Sequence, residues 1–336
     1  MALLHEPYGE RGDMVDSTQL RCLYVITDLV FPLMAGYYLK KNQWLSSAMC
    51  NRLMRFNVVV IYTVLALLGC WVLPLDRTLA WFPVLGLAVS FIPAWIAKAT
   101  FLRRYTNELE KGSYIFSALM SNIGTLGGLC AFIIFGGHGF IYAQIIGIVQ
   151  TALLVIYCFP LAQGYYDRAH GKAQKKSSFA ARLKQFVTWN QLSLLGMMAG
   201  LGLQVVGISR PAVLGELFDY LIHIGAWIAF IPVGYLMDFS RAKVYYHKLW
   251  DMVLLKHIVT PLIMYGIGKM LFDDYEILAI ILILSSSPTA INAVIVSRLY
   301  NLNVDLTMAS FILTTILYIL IFYPLLYLYI QTGLPL

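Results

Sequence analysis

The chain has 336 residues, of which 60% are hydrophobic and only 12% are charged, and its mean hydropathy is +0.74. This composition excludes an ordinary soluble domain, because soluble proteins carry about 25% charged residues. The formal net charge of +7 does not indicate a nucleic-acid partner, because the basic residues lie in short connections between long apolar runs, where they contact anionic lipid headgroups.

Ten apolar segments follow in chain order, each long enough to cross a hydrocarbon core about 30 Å thick. We predict membrane helices at 20–39, 53–73, 79–97, 114–136, 139–163, 190–208, 213–237, 252–271, 275–300 and 306–330. Little of the chain is left over, so residues 1–336 are predicted to form a single membrane domain. The segments are too long and too uniformly apolar for the strands of a membrane barrel.

The distribution of basic residues predicts the topology. Most of the 24 Lys and Arg residues lie between segments 1 and 2, 3 and 4, 5 and 6, 7 and 8, or 9 and 10, with the largest group in the loop 164–188. By the positive-inside rule these connections are cytoplasmic, so both termini are predicted to be extracytoplasmic. Residues 1–19 are acidic and lack the basic start of a signal peptide, so we expect the first helix to be retained. The sequence thus predicts a multi-pass protein of the cytoplasmic (cell) membrane, with the lipid bilayer as its solvent.

Segments 4 and 9 are each interrupted near the midpoint by residues that break helices. The first interruption is Ser-Asn-Ile-Gly-Thr-Leu-Gly-Gly at 121–128, and the second is Ser-Ser-Ser-Pro-Thr-Ala-Ile-Asn at 285–292. Gly124 and Pro288 lie 164 residues apart, and each is followed 36 residues later by a proline, Pro160 or Pro324. Matched interruptions in two halves are typical of the binding site of a transporter. One interruption alone would more often mark a kink or close helix packing.

The loop 164–188 separates two halves of five segments each, 1–163 and 189–336. Because five is an odd number, the second half must enter the membrane in the opposite direction. We therefore predict an all-α integral membrane protein of ten transmembrane helices, arranged as two inverted five-helix repeats. In this arrangement helices 4 and 9 are broken and cross at the bilayer midplane.

The two interruptions together predict a site for an anion. Proline removes a backbone donor, and Gly124, Gly127 and Gly128 permit non-helical dihedral angles. We expect the second segment to restart with Ser287 as its N-cap and Pro288 as its first helical residue. Each restarted half-helix presents unpaired N–H groups and about half a positive charge. No arginine or lysine lies near the centre of any segment, so we expect the helix ends alone to attract the ligand.

The residues at both interruptions resemble the auxin efflux carrier family. The resemblance rests on Asn122-Ile123-Gly124-Thr125-Leu126-Gly127 with Phe135-Gly136, and on Ser286-Ser287-Pro288-Thr289-Ala290-Ile291-Asn292 with Tyr300-Asn301, Asp305, Thr314-Thr315 and Pro324. It implies the bile acid/auxin carrier-like inverted-repeat fold, with a scaffold of helices 1, 2, 6 and 7 and a mobile unit of helices 3–5 and 8–10. It also implies organic-anion substrates and often a homodimer. Matched residue by residue, the implied substrate-binding positions are Asn122, Gly124, Thr125, Ser286, Ser287, Pro288, Thr289 and Asn292.

Ionisable residues inside membrane segments are costly and usually functional. Asp28 in segment 1 and His223 in segment 7 are predicted to lie at similar depths from the outer face. One hypothesis is that they exchange a proton during transport, because histidine titrates near neutral pH. The alternatives are a hydrogen-bonded pair that holds the scaffold, or two unrelated groups facing an outer vestibule.

The predicted function is that of a secondary active transporter that moves small organic anions, such as carboxylates, by alternating access, either as an efflux system or coupled to protons. The alternative is a non-transporting membrane sensor with the same fold. We do not expect an enzyme, because the six histidines and five cysteines are dispersed and show no nucleophile–base or metal-ligand spacing. We therefore expect no cofactor and no metal.

Overall fold

The computed structural model describes residues 23–24, 26–73, 77–171, 192–237 and 239–332. In that part of the chain all regular secondary structure is helical, apart from one isolated antiparallel bridge. Residues 1–22, 172–191 and 333–336 lie outside it, and with them most of the predicted loop 164–188. The main helices are α1 (Phe31–Lys41), α2 (Ser47–Cys70), α3 (Phe82–Thr100), α4 (Glu108–Leu119), α5 (Ile123–Gly147), α6 (149–169), α7 (Leu192–Val205), α8 (Ala212–Leu236), α9 (Phe239–Ala242), α10 (Trp250–Leu271), α11 (Tyr275–Ser285), α12 (Ile291–Leu299) and α13 (Val304–Gln331).

Six of these helices are long and apolar enough to cross a membrane, namely α2, α3 with its preceding turn, α5, α8, α10 and α13. The helices α7 and α11 are apolar but shorter. The prediction of an all-helical, multi-pass membrane protein is therefore confirmed, while the number of ten spans stays a prediction. Within α5 the backbone turns at Gly136, where φ is 61°, a value that glycine adopts without steric cost. This turn falls between the predicted segments 4 and 5.

The helices pack in two groups. In one group α7 packs on α2, and α8 packs on α1 and α2. In the other group α4 packs on α3, α6 and α13, while α10 packs on α11 and α11 on α5. The helix α5 also contacts α2 and α8 and so lies where the two groups meet.

Two wide, π-helical turns occur at matched positions of the two halves. Leu154–Cys158 lies within α6 and Tyr318–Phe322 within α13, again 164 residues apart. In each case the helix then continues with a proline at its second position, Pro160 or Pro324. The two halves therefore share this backbone conformation at the same 164-residue offset that the sequence shows.

The second interruption restarts later than predicted. The helix α12 begins at Ile291 with Ala290 as its N-cap, so the prediction that Ser287 and Pro288 begin the half-helix is wrong. The reason is tertiary. The carbonyl of Pro288 and the N–H of Ala290 pair with backbone groups of the first interruption, so this stretch is held apart from the helix.

The first interruption is shorter than predicted. Only residues 120–122 lie between α4 and α5, and Asn122 makes the turn with φ −80° and ψ 57°. Gly124, Gly127 and Gly128 all lie in helical turns, so the non-helical dihedral angles that glycine permits are not used at these positions.

Candidate functional site

The two interruptions are joined by reciprocal backbone hydrogen bonds. The N–H of Asn122 donates to the carbonyl of Pro288 at 2.8 Å, and the N–H of Ala290 donates to the carbonyl of Met120 at 2.9 Å. Between these bonds Ser121 faces Thr289 as an antiparallel bridge. We call residues 120–122 and 286–290 the crossing. Its bonds satisfy backbone groups that would otherwise be unpaired in an apolar environment.

The side chains of the first interruption lie at the start of α5. Asn122 caps this helix, because its side-chain oxygen accepts hydrogen bonds from the hydroxyl of Thr125 and from the N–H of Leu126. Gln144 lies in the part of α5 that follows the turn at Gly136. Its Nε2 donates to the carbonyl of Gly124 at 2.7 Å. Gly124 and Thr125 are half-buried, so this side of the crossing is partly accessible.

The side chains of the second interruption are bonded to the protein itself. Ser286 and Ser287 both donate to the carbonyl of Ile283, at 3.0 and 3.1 Å. Thr289 is fully buried; its hydroxyl donates to the carbonyl of Ser117 and lies 3.0 Å from the hydroxyl of Ser310. Asn292 is half-buried in the first turn of α12. That these residues bind substrate stays a prediction.

A lysine reaches the crossing from α10. Lys256 is completely buried, and its ammonium group donates to the carbonyl of Ala118 at 2.6 Å, to the hydroxyl of Ser121 at 2.8 Å and to the carbonyl of Met120 at 3.4 Å. These carbonyls form the C-terminal end of α4, where a cation is stabilised by the helix dipole. A buried lysine therefore lies at the crossing, and the expectation that the helix ends alone attract the ligand stays a prediction.

The next residue along α10, His257, contacts the other broken segment. His257 is buried, and its Nδ1 lies 2.7 Å from the carbonyl of Ser286 at the C-terminal end of α11. Its ring also stacks on Phe322, with centroids 4.4 Å apart. Lys256 and His257 both lie in a π-helical turn, Leu255–Val259. Consecutive residues of one helix thus contact the C-terminal ends of both α4 and α11.

Two cavities lie along the junction of the two helix groups. Thr125 lines the smaller one, of about 10 Å³, with Tyr62 and Phe140 among its other walls; this volume holds about one water molecule at most. The larger one, which we call the vestibule, measures about 250 Å³. It lies near the end of α2 and the start of α8, and its polar lining residues are His138, Arg210 and Asp219.

An aromatic pair separates the two cavities. Phe140 lines the small cavity and Phe218 the vestibule. Both side chains are buried, and their rings meet edge to face with centroids 6.0 Å apart. At the mouth of the vestibule Arg210 donates to the carbonyl of Leu68 at 2.8 Å and lies over the ring of Phe218. The pair therefore lies between the vestibule and the cavity that Thr125 lines.

Asp28 and His223 are brought together. Oδ2 of Asp28 lies 2.5 Å from Nδ1 of His223, and Asp28 is buried. The contact joins the π-helical turn Ile26–Val30, just before α1, to the middle of α8. The imidazole also packs on Tyr24 and on Phe132 of α5. The pair therefore lies within the first helix group, beside the second.

The predicted site residues thus fall into separate places. Those at 122–125 and 286–289 meet at the crossing, Asn292 lies one turn beyond it, and Asp28 with His223 forms a separate pair. The sequence reasoning missed Lys256, His257 and Gln144. One signal for Lys256 was present, because a lysine inside the predicted segment 252–271 is an intramembrane charge, which is functional by default.

Comparison with known proteins shows a similarity to a distant relative. The chain is 25% identical over 237 residues to a protein of Rhizobium meliloti (strain 1021) described as "Putative malonate transporter", and the match spans 70% of this chain and 72% of that protein. No protein-family model matches the chain.

Proposed function

We propose that this membrane protein is a secondary carrier that moves small carboxylates by alternating access, with malonate as the first candidate substrate. The observation that carries the proposal is the crossing, where two interrupted apolar segments pair through their backbones beside the polar groups of Asn122 and Thr125. A distant relative described as a malonate transporter supports the same class of substrate. Hydrogen-bond donors and helix ends at one point suit a carboxylate.

The proposed architecture is two inverted five-helix repeats with ten membrane helices, whose broken members are α4–α5 and α11–α12. The matched π-helical turns before Pro160 and Pro324 support the repeat. In this arrangement the crossing lies at the bilayer midplane, both termini are extracytoplasmic in the cell membrane, and the chain forms one domain within a homodimer of the auxin efflux carrier type.

The two cavities suggest a route for the substrate. We propose that a carboxylate enters the vestibule near Arg210 and reaches Thr125 when the aromatic pair of Phe140 and Phe218 separates. The two rings lie on different helix groups, on α5 and α8. A shift of one group against the other would therefore open and close this contact, as alternating access requires.

The test uses the purified full-length protein. Malonate, acetate and other mono- and dicarboxylates are screened for a rise in melting temperature, because a ligand that binds only the native state stabilises it. The best ligand is then used in proteoliposomes, where a carrier shows saturable uptake that is accelerated by substrate on the opposite side. Binding without flux would favour a sensor, and an absence of binding by every carboxylate would overturn the proposal.

A matched pair of variants tests the site itself. Thr125→Val keeps the shape of the side chain but removes the hydroxyl beside the small cavity, and we expect at least a tenfold loss of malonate affinity. Thr315→Val is the control, because Thr315 is buried on α13 and does not line that cavity. Equal affinity in the wild type and Thr125→Val would place the site elsewhere.

Proton coupling through Asp28 and His223 is a further part of the proposal. Their contact makes a proton exchange between them geometrically feasible. Transport by Asp28→Asn and His223→Gln is measured with and without a proton gradient. Loss of the response to the gradient, with flux retained, would support coupling; an unchanged response would assign the pair to holding α8 against the turn before α1.

A further inference from the structure

Lys256 is a completely buried lysine that has no acidic partner among the described residues. It lies in α10, a helix apolar enough to cross a membrane, and none of its side chain is exposed. Within the described part of the chain, the ion pairs involve Asp28, Glu108 and Asp251, and none of them includes Lys256. Its three hydrogen-bond acceptors are neutral groups of Ala118, Met120 and Ser121.

Carbonyl groups stabilise this ammonium only in part. The C-terminal end of α4 contributes about half a negative charge, whereas removing a full charge from water costs several kcal/mol unless it is paired. With Lys256 protonated, the crossing would carry a net positive charge beside Ser121, the residue that precedes Asn122. A bound anion would neutralise that charge, and a second negative charge on the ligand would gain further attraction.

We propose that Lys256 is the fixed positive charge that makes the crossing select anions, and that it favours dianions over monoanions. This inference rests on the proposed carboxylate transport and identifies its charge-selecting residue. The N–H donors of Lys256 are already bonded to α4 and to the crossing, so its ammonium does not bind the ligand directly. It acts on the ligand through its electrostatic field and is therefore a positioning residue. A charge on the order of 10 Å away, at an effective dielectric constant near 20, changes affinity roughly tenfold for each ligand charge.

The experiment compares ligands of one shape and different charge. Binding of malonate, a dianion at neutral pH, and of its monoamide, a monoanion, is measured by calorimetry on the purified full-length protein. In Lys256→Gln the amide can still donate to the carbonyl of Ala118, while the charge is gone. We expect malonate to lose about a hundredfold in affinity and the monoamide about tenfold, and Lys256→Arg to stay within about threefold of the wild type.

A second pair of variants leaves the lysine in place. Nζ of Lys256 lies 2.8 Å from Oγ of Ser121, so Ser121→Asp puts a carboxylate beside the ammonium. Ser121→Asn matches the size of that aspartate without its charge. We expect Ser121→Asp to reproduce the unequal losses and Ser121→Asn to lose both ligands by one common factor. Equal losses of both ligands in Ser121→Asp would overturn the proposal even where Lys256→Gln fails to fold.

The possible outcomes separate the two proposals. If the wild type does not bind malonate, the proposed function fails. If the wild type binds malonate but Lys256→Gln or Ser121→Asp loses malonate and its monoamide equally, or loses neither, Lys256 has only a structural role and the charge-selection proposal fails.

Discussion

At the first interruption Thr125 is half-buried and lines a cavity, whereas at the second interruption Ser287 and Thr289 are fully buried and bonded to protein groups. The same kinds of residue thus do different work at the two places. In the first, Thr125 borders a cavity, and in the second, Thr289 fixes the backbone against α4 and α13. A matched sequence pattern therefore does not imply matched roles, because accessibility is decided by what packs on each segment.

The largest expected effect is a loss of malonate affinity that differs between the two interruptions. Asn122→Asp keeps a good helix cap but places a negative charge beside the proposed carboxylate, so we expect malonate affinity to fall about a hundredfold or more. Asn292→Asp, in the first turn of the other restarted helix, should cost less than about tenfold. Calorimetry on both variants measures this, and equal losses would mean that both interruptions contact the ligand alike.

The second prediction concerns stability, for which we expect the larger effect at the second interruption. Thr289→Val removes a buried hydroxyl that bonds to Ser117, so the free energy of unfolding should fall by about 1–3 kcal/mol, because the carbonyl loses its donor. Thr289→Ser retains the hydroxyl and is the control. Thermal unfolding in detergent measures both, and a malonate affinity that falls with stability unchanged would assign Thr289 to the ligand instead.

The third prediction concerns the contact between the interruptions. A methyl group on Gly127 would lie 2.7 Å from Oγ of Ser287, so Gly127→Ala should cost about 1–3 kcal/mol through overpacking. Adding Ser287→Ala should restore part of the loss, with a coupling of about 1 kcal/mol. Gly266→Ala is the control, because no atom lies within 4 Å of a methyl group placed there. Additive losses would show that the two residues do not touch.

The smallest expected effect lies at the start of α4, the helix that leads into the first interruption. Glu108 accepts hydrogen bonds from Lys111 and Arg168 at 2.6 and 2.9 Å, and these partners, Lys111 foremost, lower the pKa of its carboxyl group. A lowered pKa adds stability that is present above the ordinary value of about 4.3 and is lost as the pH falls through the folded-state value.

Replacing Glu108 by glutamine should therefore cost about 0.5 kcal/mol at neutral pH, because the group is partly exposed. The difference from the wild type should shrink as the solution is acidified. Melting temperatures measured from neutral to acidic pH test this, with Asp305→Asn as a control without an ion pair among the described residues. A difference that is independent of pH would mean that charge is not the cause.

Much of the fold could be predicted because its signals are local. Apolar runs of about 20 residues predict membrane helices wherever they occur, and the helix-breaking residues at 121–128 and 285–292 marked both interruptions. The prediction is wrong at Pro288, because the helix begins at Ile291 and not at this proline. A proline is compatible with a helix start and with an extended segment alike, and the backbone hydrogen bond from Asn122 to Pro288 decided between them.

The sequence by itself therefore determined the class of the protein and the positions of the two interruptions, because hydropathy and backbone restrictions act over a few neighbouring residues. Only the tertiary structure decided which side chains meet there. Lys256 and Ser121 are 135 residues apart in the chain, and Asp28 and His223 are 195 apart. Such contacts depend on how each helix is rotated against its neighbours, and that rotation is set by packing across the whole molecule.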